Sequence, residues 1–216
     1  MNNARMFALL ATIFIAQLGV GIIAPIIPIY ALELGATGLT LGLLSASFSI
    51  SRGITQPLVG SYSDRFGRKR FLILGLIIYS LSAIGYVFSG SVASLILVRL
   101  LHGVGSAMIV PIGMAYMADF SPEGKEGRYM GILNVAMFSG FGGGPLLGGV
   151  VRDLWGMNAA FFSMTLLSLA ALVLVLLSLP SDREVKKAQH TGPGILANFA
   201  LMLRSRKVSG LSLIHI

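Results

Sequence analysis

The sequence predicts an all-α membrane protein of six transmembrane helices. Of its 216 residues, 55% are hydrophobic and only 11% charged, with a mean hydropathy of +0.85; soluble domains carry about 25% charged residues. Six apolar runs, at about 6–29, 41–62, 71–89, 92–118, 129–151 and 159–179, have the length a bilayer-crossing helix needs. None alternates with period two, so helices, not barrel strands, are expected to satisfy the backbone in lipid.

The basic residues give the orientation. Arg5, the four bases of 65–70, Lys125, Arg128 and six more between positions 183 and 207 fall on one side of this arrangement, thirteen in all, and Arg152 alone on the other. By the positive-inside rule the chain lies in the cell membrane with both ends cytoplasmic. A net charge of +8 is therefore read as membrane orientation, and no nucleic-acid partner is implied. With no cysteine and with His102, His190 and His215 scattered, neither disulfides nor a metal cluster are expected. No cofactor is implied.

The first run follows Arg5, is longer than a signal-peptide core and lacks a clear cleavage site, so it reads as a retained span. It carries Gly19 and then Pro25-x-x-Pro28, two prolines that break backbone hydrogen bonds. The second and third runs are separated by GSYSDRFGRKR, residues 60–70, with one acid and four bases inside seven positions. So many charges cannot sit in hydrocarbon, which makes the island a short cytoplasmic loop. Its pattern, Gly60-x-x-x-Asp64-Arg65-x-Gly67-Arg68-Lys69, resembles the loop signature between the second and third spans of the major facilitator superfamily of transporters.

The fourth run holds Arg99-x-x-His102-Gly103, similar to a fourth-span motif of that family in which glutamine is commoner than His102. The resemblance links Arg99 to proton transfer. His102 reads equally as a group titrating near neutral pH or as a hydrogen-bonded packing residue. Arg52, deep in the second run, is costly in lipid and must face a cavity or a partner. Gln17, Gln56 and Asn134 complete the polar candidates for a cavity lining. The fifth run carries Gly140-x-x-x-Gly144-Pro145-x-x-Gly148-Gly149: glycines four apart form a smooth packing stripe, and Pro145 is expected to kink the rod. The full spacing resembles the fifth-span signature of the family's drug/proton antiporters. Gly60, Asp64 and Gly67 recur 89 positions later as Gly149, Asp153 and Gly156, the arrangement expected of three-plus-three inverted repeats.

The resemblance implies one half of a major facilitator superfamily fold. Residues 1–180 would be the N-terminal six-helix bundle, 181–207 a cytoplasmic linker with an amphipathic segment at 195–203, and 208–216 the start of a truncated seventh span. It implies a transporter and not an enzyme, exporting drugs or other small apolar or cationic compounds in exchange for protons, with a second six-span half as partner. No acid lies in the middle of a run, so the proton-carrying carboxylate is expected in that other half. By the same resemblance the charged island is a conformational latch: Gly60, Asp64, Arg65, Gly67 and Arg68, extended by Asp119 and Arg128. The alternatives are a sugar or metabolite transporter of the same family, and a six-span scaffold or homodimer working alone.

Overall fold

The computed structural model describes residues 3–179. The linker, its amphipathic segment and the start of a seventh span lie outside the described residues. The chain forms α1 (Asn3–Ile23), α2 (Ile26–Glu33), α3 (Gly38–Phe66), α4 (Arg68–Val87), α5 (Val92–Phe120), α6 (Glu126–Trp155) and α7 (Met157–Ser178). The first expected span is thus two helices. Pro25 and Pro28 have no N–H to give, so the ladder breaks at Ala24–Pro25, as the proline pair leads one to expect.

The long helices start and stop for local reasons. Thr37 and Ser91 form capping boxes for α3 and α5: each hydroxyl accepts from the backbone N–H three residues on, at 3.4 and 3.2 Å, and the backbone N–H of each donates in return to the hydroxyl of Thr40 or Ser94. Gly67 (φ 104°) alone separates α3 from α4, and Gly156 (φ 86°) alone separates α6 from α7. The charged island is therefore not a loop of eleven residues. It is the last turn of α3, a one-residue joint and the first turn of α4, because a glycine at positive φ reverses the chain without unwinding either helix. Similarly, α6 runs unbroken through Pro145.

With α1 and α2 taken as one rod, five of the described helices are long and apolar enough to cross a membrane. α3, the expected second span, has the length at 29 residues but is more polar, carrying Arg52, Gln56 and a run of serines. Several of those hydroxyls turn back onto their own helix: Ser47 donates to the Leu44 carbonyl at 2.9 Å and Ser51 to that of Phe48 at 3.2 Å. They therefore add little polarity outside the helix.

α1 packs chiefly against α6 and α7, α3 against α5, and α4 against both α5 and α7. The core between them is filled by Tyr79, Tyr86, Tyr116 and Phe161 with Leu9, Ile13, Leu72 and Leu76. α3 and α6 keep large apolar side chains exposed, among them Leu39, Ile54, Phe138 and Leu146, as a surface in contact with lipid or further helices permits. Side-chain bonds mark the two ends of the bundle. Arg68 reaches Asp119 and Lys69 reaches the last turn of α7 at one end, while the Tyr30 hydroxyl donates to the Ser89 carbonyl at 2.5 Å at the other.

Candidate functional site

The charged joint is built around Arg68. Its Nε and Nη2 donate to Asp64 Oδ1 at 3.3 and 3.2 Å, one helical turn back across the glycine. Its Nη1 donates to the Ala115 carbonyl at 2.7 Å and pairs with Asp119 Oδ2. The three contacts spread one planar guanidinium over the ends of α3 and α5, a geometry its fork of donors suits. The Arg68 side chain is only 13% exposed against 60% for Asp64 and 33% for Asp119. The Asp64 pair therefore sits on the wet side, where such a bond is worth about 0–1 kcal/mol, and the Asp119 pair is the more sheltered one. Each acid lies at the C-terminal end of its helix, where the dipole disfavours negative charge, so a shared cation offsets both.

Of the residues expected here, Asp64, Gly67, Arg68 and Asp119 come together. Arg65 and Arg128 are exposed, and among the described residues Arg128 pairs with neither acid. A methyl at Gly60 would meet open space. One participant is new: Lys69 donates from Nζ to the carbonyls of Leu176 and Leu179 at the end of α7. Because those acceptors are backbone, no pattern of residue types announces them.

A second cluster lies where α3, α4 and α5 meet. A methyl at Gly103 would strike the Phe48 carbonyl and Ser51 Oγ, and one at Gly105 would stand 2.8 Å from Ile78 Cγ2. Glycine at both sites lets α5 lie close to its neighbours. His102 is fully buried in the gap: its Nδ1 is 3.0 Å from the Tyr86 hydroxyl, and its ring meets those of Tyr79 and Phe48 edge-on at 4.8 and 5.2 Å. One ring nitrogen of His102 is hydrogen-bonded, as the packing reading expects, while its buried Nε2 has no hydrogen-bond partner among the described residues. One turn earlier the Arg99 guanidinium lies 5.3 Å from the centre of the Phe48 ring, a cation–π contact. Arg52 is half-buried on α3. Gln17 is half-buried on α1 and Gln56 and Asn134 are exposed; among the described residues no hydrogen bond joins any of them to either arginine. Phe48, Tyr79 and Tyr86 were not among the expected site residues. The seven-residue spacing of the tyrosines, which puts them on one face of α4, was the available signal.

The glycines of α6 divide in two. Gly140, Gly144 and Gly148 lie against the α1 backbone: a methyl on them would strike the Phe14 carbonyl, the Gly21 backbone and the Ile22 carbonyl respectively. This is close small-residue packing, and Gly21, unremarked in the sequence, supplies the matching surface. Gly149 faces open space, Pro145 is exposed, and Gly19 meets Met164 of α7 instead, at 3.3 Å. The residues of the expected first- and fifth-span motifs thus serve at least two different contacts.

The comparisons with known proteins agree with one another. The family model described as Major Facilitator Superfamily matches residues 9–215. An uncharacterised MFS-type transporter of Methanocaldococcus jannaschii is 39% identical over 79% of this chain and 44% of its own length. Multidrug resistance protein 2 of Bacillus subtilis is 39% identical over 76% of this chain and 41% of its own. Quinolone resistance protein NorA of Staphylococcus aureus is 31% identical over 90% and 50%. Among solved structures, the human organic anion transporter MFSD10 (TETRAN) superposes with a TM-score of 0.72 at 20% identity, covering 82% of this chain and 47% of that one. The chain spans about half the length of the curated relatives it matches.

Proposed function

The chain belongs to the Major Facilitator Superfamily and is a multi-pass membrane protein, and on that footing we propose that it is the N-terminal half of a proton-coupled exporter of drugs or other small apolar or cationic compounds. The observation that carries this reading is the Arg68 network with Asp64 and Asp119. It ties the ends of α3 and α5 to the start of α4, so that this end of the half can move as one body when the half rocks against the second, as alternating access requires. In this reading the described helices, with α1 and α2 taken as one rod, are the six-helix body, and the distribution of basic residues favours a cytoplasmic position for the network. The names of the Bacillus and Staphylococcus relatives favour drugs as cargo. The proton-binding carboxylate is assigned to the second half, since none of the described acids lies in the middle of a helix.

One observation favours a second cargo. Arg52 and Arg99 are cations within the helices, and an anionic solute would suit them.

The test expresses the whole protein bearing this half in cells stripped of their own efflux pumps. Accumulation of a fluorescent cationic dye should fall, and a protonophore should restore it. If dye accumulation is unchanged while a labelled organic anion is extruded, the second cargo replaces the first. If neither moves, the exporter reading fails.

A further inference from the structure

Helix α7 ends without a glycine: Leu179 leaves it in an extended conformation, φ −85° and ψ 142°. The carbonyls of its last turn therefore need partners from elsewhere. Two of them share a single side chain. Lys69 Nζ donates to the Leu176 carbonyl at 3.1 Å and to the Leu179 carbonyl at 2.7 Å, although both lie more than a hundred residues further along the chain. Lys69 is half-buried, and of its two acceptors Leu179 is buried and Leu176 exposed, so the ammonium rests on the negative end of the helix, sheltered on one side.

The residue before it is Arg68, already bound to Asp64, the Ala115 carbonyl and Asp119. Two consecutive side chains at the start of α4 thus hold the ends of three other helices: α3 and α5 by Arg68, α7 by Lys69. Both stand on the first helical turn after the one-residue joint at Gly67. A displacement of that turn cannot leave either set of bonds unchanged.

We propose that Lys69 is a positioning residue that ties α7 to the Asp64–Arg68–Asp119 network, so that the network and the end of α7 move as one body. α7 is the helix from which the chain runs on past residue 179, and through Lys69 the state of the network is passed to that exit. The inference rests on reading the charged joint as a latch, but its test reads α7 itself and not transport, so the two can fail separately.

The chain contains no cysteine, which allows a single thiol to report on one helix end. Ser178→Cys places it at the end of α7, and Ser91→Cys places a control at the opposite end of the bundle. Labelling rates are measured on the 216-residue chain in permeabilised membranes. Lys69→Met, which keeps length and loses charge, should raise the rate at position 178 several-fold and leave position 91 unchanged, and Lys69→Arg should stay near the parent. Asp64→Asn should also raise the rate at 178, but should add nothing once Lys69→Met is present, because the connection is already cut. An unchanged rate at 178 in Lys69→Met overturns the proposal. So does an equal rise at position 91, which would show general loosening, and so does a full, independent effect of Asp64→Asn in the Lys69→Met background.

Discussion

Gly67 and Gly156 are the same joint built twice with different surroundings. Each is the only residue between two helices, with φ of 104° and 86°, and each donates its N–H to the carbonyl four residues back, at 2.9 and 2.8 Å. Each has an acid three residues before it, Asp64 and Asp153. After Gly67 come Arg68, Lys69 and Arg70; after Gly156 come Met157, Asn158 and Ala159. Asp64 is bound by Arg68, whereas Asp153 is exposed and has no ion pair among the described residues. A tight reversal between two membrane helices therefore needs the glycine and nothing more. The network at the first joint is not required by the turn, and that surplus marks it as the place to look for function.

The comparison breaks most readily at the backbone it rests on. Gly67→Ala and Gly156→Ala would each force a Cβ into a conformation open almost only to glycine, at about 1–3 kcal/mol per site. Unfolding of the purified chain by denaturant should show losses of similar size at both joints. A loss at Gly67 alone would mean that the two turns are not equivalent and that charge, not backbone, shapes the first.

The acids should separate where the glycines do not. In the whole protein, Asp64→Asn should reduce transport roughly tenfold or more at equal expression, a shift of about 1.4 kcal/mol in the conformational equilibrium. Asp153→Asn should leave transport near normal. Equal effects, or two silent variants, would show that the charges at the first joint serve only to orient the chain in the membrane.

What the sequence disclosed follows the same division. Asp64, Gly67 and Arg68 were readable because the family's loop signature carries all three at this spacing, although the acid and the base stand on different helices with Gly67 between them. Asp119 was reached by resemblance alone, since it meets Arg68 through the fold. Lys69 was read only as the last residue of the loop signature; its contact with α7 went unread because its acceptors are carbonyls, which every residue has. Gly21 was missed for a related reason: a glycine seam has two sides, and only the α6 side carried a recognisable pattern. The break at Pro25 and the packing of Gly140, Gly144 and Gly148 were legible from the backbone limits of proline and the small size of glycine. The helical nature of the charged island was not, because its many polar residues suggest a loop until the single glycine is seen to do all the turning.

The smallest expected effect is also the most discriminating. Met157→Arg would give the second joint the base it lacks, four residues after Asp153 just as Arg68 follows Asp64. Asp153 is exposed, so the new pair should add only about 0–1 kcal/mol of stability, and transport should not change. The argument turns on what Arg68 has besides Asp64. Its Nη1 is held by the Ala115 carbonyl and Asp119 from a different helix, and its side chain is only 13% exposed. If those contacts give the network its strength, a graft that reproduces only the local pair stays weak. A gain well above 1 kcal/mol in the Met157→Arg variant, removed again by Asp153→Asn in a double-mutant cycle, would show instead that the four-residue pair is sufficient, and that the reach of Arg68 to α5 contributes little.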